Sequence, residues 1–226
     1  YSADFSFPRQ DDGGLIEILA RPFGASGAFA KRALDVVGAC AALVALSPVL
    51  LATAIAIRLD SPGPVLFRQR RHGYNHKAIE VLKFRSMYAD RCDPAARSIV
   101  TRGDPRVTRV GRFIRKTSLD ELPQLVNVLF GDLSLVGPRP HALDARSSRH
   151  QTFAEIVDGY SGRHKVAPGI TGWAQVNGWR GEVDDPEKLR RRFECDLYYI
   201  ENWSIWLDLK ILFRTPASLF ATENAY

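Results

Sequence analysis

Apolar and polar positions divide this chain into stretches of different period. Residues 36–57, VVGACAALVALSPVLLATAIAI, carry no charge. The run meets the roughly 20-residue length of a membrane-crossing helix, and buried helices of soluble proteins seldom run so long without a charge. Ser47-Pro48 lies in its middle. Proline removes a backbone donor and collides with the carbonyl of Val44, so a bend or break is expected there, with Ser47 bonding a freed carbonyl. Lys31 and Arg32 precede the run and Arg58 follows it. Basic residues favour the cytoplasmic side. A straight span places one set on the wrong face, whereas a helix–break–helix hairpin keeps both on one face. The first arm, residues 36–46, is about 17 Å long at 1.5 Å per residue, too short for a hydrocarbon core of roughly 30 Å. A re-entrant hairpin is favoured over a proline-kinked span.

Ser61-Pro62-Gly63-Pro64 marks a turn after this segment. Residues 65–71 read as a short strand or extended basic piece, and residues 79–87 nearly alternate, as a strand does. Both put Arg68, Arg70, Arg71, Lys83 and Arg85 just beyond the membrane exit, as a face for acidic lipid, as phosphate ligands, or both. Residues 90–106 read as a polar loop with room for a short helix. Leu122, Leu125, Val126 and Leu129 recur at helical spacing, and Gly131 is a natural stop. Two starts remain open. Ser118 with Glu121 forms a capping box, while Asp120 as cap places Pro123 in the first turn. Either places Asp120 and Glu121 at a helix N-terminus. Residues 131–140 form a turn-rich loop, and residues 163–177 are dense in glycine, aromatic and polar side chains. Asp185-Pro186 opens a helix with Leu189, Phe193, Leu197 and Ile200 on its apolar face. Residues 204–214 form a very apolar helix behind Trp203 and beside Trp206, suited equally to the membrane interface and to a core.

Composition narrows the classes. The chain has 226 residues, 46% apolar and 25% charged, which suits one packed domain with a membrane element and excludes a disordered chain. A formal charge of +6 favours phosphates, acidic headgroups or nucleic acid; the membrane-length segment argues against nucleic acid. Cys40, Cys92 and Cys195 are too few and too scattered for a disulfide framework or zinc site and read as reduced thiols facing a cytoplasm. The chain opens on Tyr1, so it is expected to be processed, truncated or numbered from beyond its initiator.

The densest chemistry lies at Asp120-Glu121, which follow Arg109, Arg112, Arg115 and Lys116. As helix caps the acids are worth about 0.5–2 kcal/mol each. The same pair suits phosphoryl chemistry. Helix N-termini and arginines hold phosphate, one or two carboxylates beside phosphates hold Mg²⁺, and a carboxylate can attack an activated phosphoryl group. No Walker A loop or dinucleotide-binding glycine pattern is present. His72, His76, His141, His150 and His164 lack metal-ligand spacing.

Five ordered blocks carry a resemblance: KRALDVVGACAALVALSPVLL, SPGPVLFRQRRHG, KFRSM, RKTSLDELPQLVNVLFGDLSLVGPRP and PGITGWAQVNG. From about Phe29 onward the chain resembles the bacterial sugar transferases, the monotopic phosphoglycosyl transferases. Its C-terminal FECDLYYIENWSIWLDLKILFRTP is similar to the branch acting in exopolysaccharide assembly. The resemblance implies a re-entrant helix broken at Ser47 and Pro48, and a catalytic dyad of Asp120 and Glu121. It implies attack by Asp120 on the β-phosphorus of a UDP-sugar, with glucose-1-phosphate the hexose-1-phosphate expected to be transferred, and release of UMP. Undecaprenyl phosphate would then take the phosphosugar. Mg²⁺ would bridge the dyad and the diphosphate; Glu121 would orient the metal or assist proton transfer. Arg115 and Arg139 match family arginines as phosphate ligands, with Lys83, Arg85, Arg163, His164 and Lys165 as further substrate-binding candidates. UDP-galactose or a UDP-N-acetylhexosamine is the alternative donor, and a non-catalytic membrane scaffold of polysaccharide assembly is the alternative of another class. Larger members carry N-terminal membrane helices, and residues 15–23 resemble the linker that follows them.

The expected fold is a membrane-associated, mostly helical α/β protein with a small β-sheet and interfacial amphipathic helices. Residues 1–28 form a flexible lead-in, residues 29–60 the re-entrant hairpin and residues 61–226 a catalytic domain on the cytoplasmic face of the bacterial inner membrane, in contact with membrane lipids. Whether the chain forms a homo-oligomer is left open.

Overall fold

The computed structural model describes residues 24–92, 103–141, 160–179, 181 and 186–220. The expected lead-in up to residue 23, much of the 90–106 loop, His150 and the Asp185 cap lie outside the described residues.

The apolar run corrects one expectation. It forms a single helix, α1 (Ala25–Asp60), continuous through Pro48. Proline is absorbed because Ser47 Oγ donates to the Val44 carbonyl at 2.8 Å, the acceptor that Pro48 leaves without its N–H. One stripe of α1 packs inward. Ala39 joins a core with Val128, Leu133 and Ile211, and further along Ile57 packs with Phe84 and Ile114. Val37, Val44, Leu51, Ile55 and Leu59 stand exposed. By length and composition α1 is able to cross a membrane, and a helix with an exposed apolar face needs an apolar neighbour.

The basic residues flanking the run fasten α1 to the body of the protein. Arg32 donates to the carbonyls of Val128 and Leu129 at 2.6 and 2.7 Å. These are at the C-terminal end of α3 (Gln124–Phe130), where a cation satisfies orphan carbonyls and the helix dipole. Lys31 is buried, 2.9 Å from the fully buried Asp208, which also accepts from the Tyr199 hydroxyl at 2.8 Å. Asp35 accepts from Ser134 Oγ and from the Leu135 amide. Every charge in this network has a partner, the condition under which buried ions are tolerated. At the other end, Arg58 donates to the Gly63 carbonyl at 2.6 Å and Asp60 accepts from the Val110 amide.

Among the described residues the strands form two small sheets where one was expected. Strands β1 (Leu66–His72) and β2 (Ala78–Phe84) pair antiparallel, with Phe67 opposite Lys83, Gln69 opposite Val81 and Arg71 opposite Ile79. Strand β3 (Ser134–Val136) pairs parallel with β4 (Gly169–Thr171). Glycine is required at that second pair: a Cβ on Gly169 would lie 2.1 Å from the Gly137 amide nitrogen. This close approach brings the VGPRP and PGITG segments together.

Helix α2 (Arg109–Lys116) is capped by Thr108, whose side chain accepts from the Gly111 amide. Helix α3 ends, as expected, at Gly131 in the left-handed region, φ 86°. The short α4 (Trp173–Val176) and the long α5 (Pro186–Glu201) and α6 (Ile205–Phe220) are the remaining α-helices among the described residues. Leu189, Phe193 and Ile200 of α5 are buried as the spacing predicts. Helix α6 is two-faced: Asp208 and Ile211 are fully buried, while Trp206 and Phe213 are about 80% exposed.

Candidate active site

Between α2 and α3 the chain turns sharply. Ser118 sits in the left-handed region at φ 59°, and Leu119–Glu121 form one 3₁₀ turn. Neither expected cap forms: Pro123 precedes α3 and makes no side-chain cap bond, and none is made by Ser118. The two acids therefore stand on a turn and face cations instead of helix amides.

Glu121 is held on both oxygens. Lys83 Nζ lies 3.0 Å from Oε1, and Arg139 grips the carboxylate bidentately, with its second contact to Oε2 at 3.0 Å. Arg71 completes the cationic wall. Strand register explains two of these cations. Ile79 and Val81 face the core, so the period of two carries Lys83 to the same face, and pairing places Arg71 there from β1. Asn127 fixes the strand to α3: its amide donates to the Glu80 carbonyl at 2.7 Å and its oxygen accepts from the Leu82 amide at 2.9 Å.

Arg139 is presented by a loop that two other arginines hold. Arg71 donates to the Pro140 carbonyl at 2.7 Å. Arg163 donates to the Arg139 carbonyl at 2.6 Å and pairs with buried Asp196 at 2.9 Å. Sequence reasoning made Arg163 a substrate ligand; the structure instead buries it behind Arg139. Arg85 is likewise turned away from the acids. It is buried and donates to the carbonyls of Pro62 and Ser61, and so holds the turn after α1. Arg115 acts on Asp120 electrostatically, whereas Arg109, Arg112 and Lys116 are exposed. Lys165 is exposed, and His164 is half-buried. His164 stacks into a group with His72 and His76, ring centroids 4.3–5.8 Å apart. Burial and the Arg163 charge push its pKa down to about 3. Neither these histidines nor any other three His, Cys, Asp or Glu side chains among the described residues are placed to hold a metal ion together. Of the five basic residues read as lying just beyond α1, the structure places Lys83 against Glu121 and Arg71 near it; the alternation of β1 is the signal that sets Arg71 apart from Arg70.

The electrostatics separate the two acids. Burial drives Asp120 up to about 6, against the pull of Lys83 and with a push from the Glu121 charge. Burial also pushes Glu121 up, but Arg139 and Lys83 outweigh it and hold that carboxyl well below its usual range. No hydrogen bond or ion pair of Asp120 forms among the described residues. One acid is thus a fixed, ionised anchor for cations, and the other presents open oxygens beside them. A carboxylate in that setting can bind a metal–phosphate group or attack a phosphoryl centre.

A pair of unequal acids within a ring of cations, carried by a body fastened to a helix long and apolar enough to cross a membrane, makes a site suited to an anionic group such as phosphate. The chain belongs to the bacterial sugar transferase family, whose sequence model matches residues 26–222. It is 49% identical over 212 residues to the UDP-glucose:undecaprenyl-phosphate glucose-1-phosphate transferase of Escherichia coli, covering 94% of this chain and 45% of the relative. It is 52% identical to the undecaprenyl-phosphate glucose phosphotransferase of Komagataeibacter xylinus, covering 94% and 40%. Identity to the UDP-N-acetylgalactosamine-undecaprenyl-phosphate N-acetylgalactosaminephosphotransferase of Aeromonas hydrophila is 46%, covering 88% and 45%. The chain thus spans about half the length of these relatives or less.

Proposed function

We propose that this chain transfers a hexose-1-phosphate, glucose-1-phosphate in the first instance, from a UDP-sugar to undecaprenyl phosphate at the cytoplasmic face of the inner membrane. The observation that carries the reading is the open Asp120 carboxylate beside a Glu121 already clamped by Arg139 and Lys83. In the first step an Asp120 oxygen bonds to the β-phosphorus, and the bond from that phosphorus to UMP breaks, the electron pair leaving with UMP. Arg139, Lys83 and Arg71 offset the negative charge that gathers on the diphosphate. In the second step a phosphate oxygen of undecaprenyl phosphate attacks the same phosphorus and the Asp120 carboxylate leaves.

The donor set fits magnesium in one form. Glu121 has both oxygens engaged, so Asp120 and the substrate's own phosphates would hold the ion, with water completing its shell. Bound there, the ion would supply charge neutralisation at the diphosphate.

The names of the Escherichia coli and Komagataeibacter relatives support glucose; the Aeromonas relative's name keeps an N-acetylhexosamine donor as the second reading. A panel of UDP-sugars, assayed for UMP with and without undecaprenyl phosphate, tests both. UDP-glucose is expected to give the highest rate; no UMP from any donor would end the proposal.

Both ends of α1 are fastened to one body, through Arg32 at one end and Asp60 at the other, which supports a helix that enters and leaves the bilayer on one side without being broken. Cysteines introduced at Phe29 and Leu59, both exposed, are expected to react from the cytoplasmic side alike. Opposite-sided labelling would make α1 a span.

A further inference from the structure

A cavity of about 150 Å³ opens beside the acids, lined by Glu121, Leu122, Leu125, Ile170, Thr215 and Ser218 among others. Its hydroxyls have partners within the protein. Thr171 and Thr215 hydroxyls bond each other at 2.8 Å, Thr215 Oγ1 also meets the Ile211 carbonyl, and Ser218 Oγ donates to the Thr215 carbonyl. Gln175, also on the wall, donates to the Ile170 carbonyl. Each of these four side chains thus already has a hydrogen-bond partner within the protein, and the surface left to meet an incoming ligand is mostly methyl and methylene. The one charged wall is Glu121. An apolar cavity of this size takes a group of about six carbons, and an isoprene unit has five. The wall that carries Thr215 and Ser218 is α6, whose outer face exposes Trp206 and Phe213, side chains suited to a membrane boundary.

We infer that this cavity is the acceptor subsite: it holds the isoprene unit next to the phosphate of the polyprenyl phosphate, so that the lipid's phosphate lies at the acids while its chain leaves along α6. The inference rests on the transferase reading above. It separates the two half-reactions, because loading of Asp120 from the UDP-sugar does not use the cavity and discharge to the lipid does. It also explains why an apolar hollow lies against a cationic site, where a purely soluble substrate pair would need none.

Ser218→Leu, which fills the cavity, tests this in the full chain. UMP released in a single turnover without lipid is expected to stay within about twofold of the unmodified enzyme, while the apparent KM for undecaprenyl phosphate rises about tenfold, near the 1.4 kcal/mol equivalent of a decade. Normal loading with an unchanged KM would overturn the subsite alone. No loading in the unmodified enzyme would bring down the transferase reading and the subsite with it. A second measurement does not depend on the variant's folding: farnesyl phosphate carrying a diazirine on its phosphate-proximal isoprene unit should crosslink the unmodified enzyme at Ile170, Thr215 or Ser218. Labelling confined to α1 would refute the inference.

Discussion

Asp120→Asn is expected to lower sugar-phosphate transfer by at least about 10³-fold, since removing a nucleophile that acts with its neighbours as one unit forfeits most of their combined effect. The covalent phosphosugar adduct, read by intact mass after incubation with the UDP-sugar alone, should vanish as well. Folding should survive. Asp120 has its pKa raised from 3.8 to about 6, so the protonated form is the one folding favours. That contribution is fully present below about pH 4 and is lost as pH rises through 6. At pH 7.5 the ionised side chain is therefore a burden on the fold, and the neutral amide should unfold at the same or a higher temperature. In the unmodified enzyme the same shift sets an acid limb: kcat/KM for the donor should fall about tenfold per pH unit below 6, as the nucleophile is protonated. Retained adduct formation in the amide variant would remove Asp120 from its role.

Glu121→Gln should produce the opposite balance, weakening the fold and shifting the limb. Glu121 anchors Arg139 and Lys83 and lies near Arg71. Breaking a buried pair costs about 3–5 kcal/mol; because Arg139 is partly exposed, about 1–3 kcal/mol is expected here, read as a lower unfolding temperature in detergent. Glu121 is ionised well below its usual range, so its stabilising contribution is present above about pH 4.5 and declines only in stronger acid. Transfer should fall by on the order of 10²-fold, the scale of losing preorganised charge at a phosphoryl site. The informative readout is the residual activity. The Glu121 charge helps raise Asp120, so its removal should move the acid limb to lower pH. An unmoved limb would show that the two acids do not sense each other.

Much of the local structure was legible along the chain. The charge-free run, the turn at Ser61-Pro62-Gly63-Pro64, the extended segments that become β1 and β2, and the Gly131 stop follow from periodicity and backbone preference; the pairing of the two strands was not read from the sequence. Capping at Ser118 or Asp120 was not correctly legible, because cap signatures assume helical backbone and Ser118 adopts the left-handed region. The α3 face was only partly legible. Its buried positions include Gln124 and Asn127, polar residues that an apolar pattern leaves out, and Asn127 completes the backbone bonding of β2.

By itself the sequence determined a membrane-length helix, a neighbouring pair of acids, a surplus of basic residues and the family they identify, since each depends on residues close in the chain or on block order. Only the tertiary structure decided which cations meet which acid. Lys83 and Arg139 converge on Glu121 from a strand and a loop, with the charge of Arg71 near by, while Arg163 and Arg85, equally plausible from charge alone, are turned to other partners. A guanidinium's role depends on which acceptor lies within about 3 Å of it, and that distance is set by packing between segments remote in sequence.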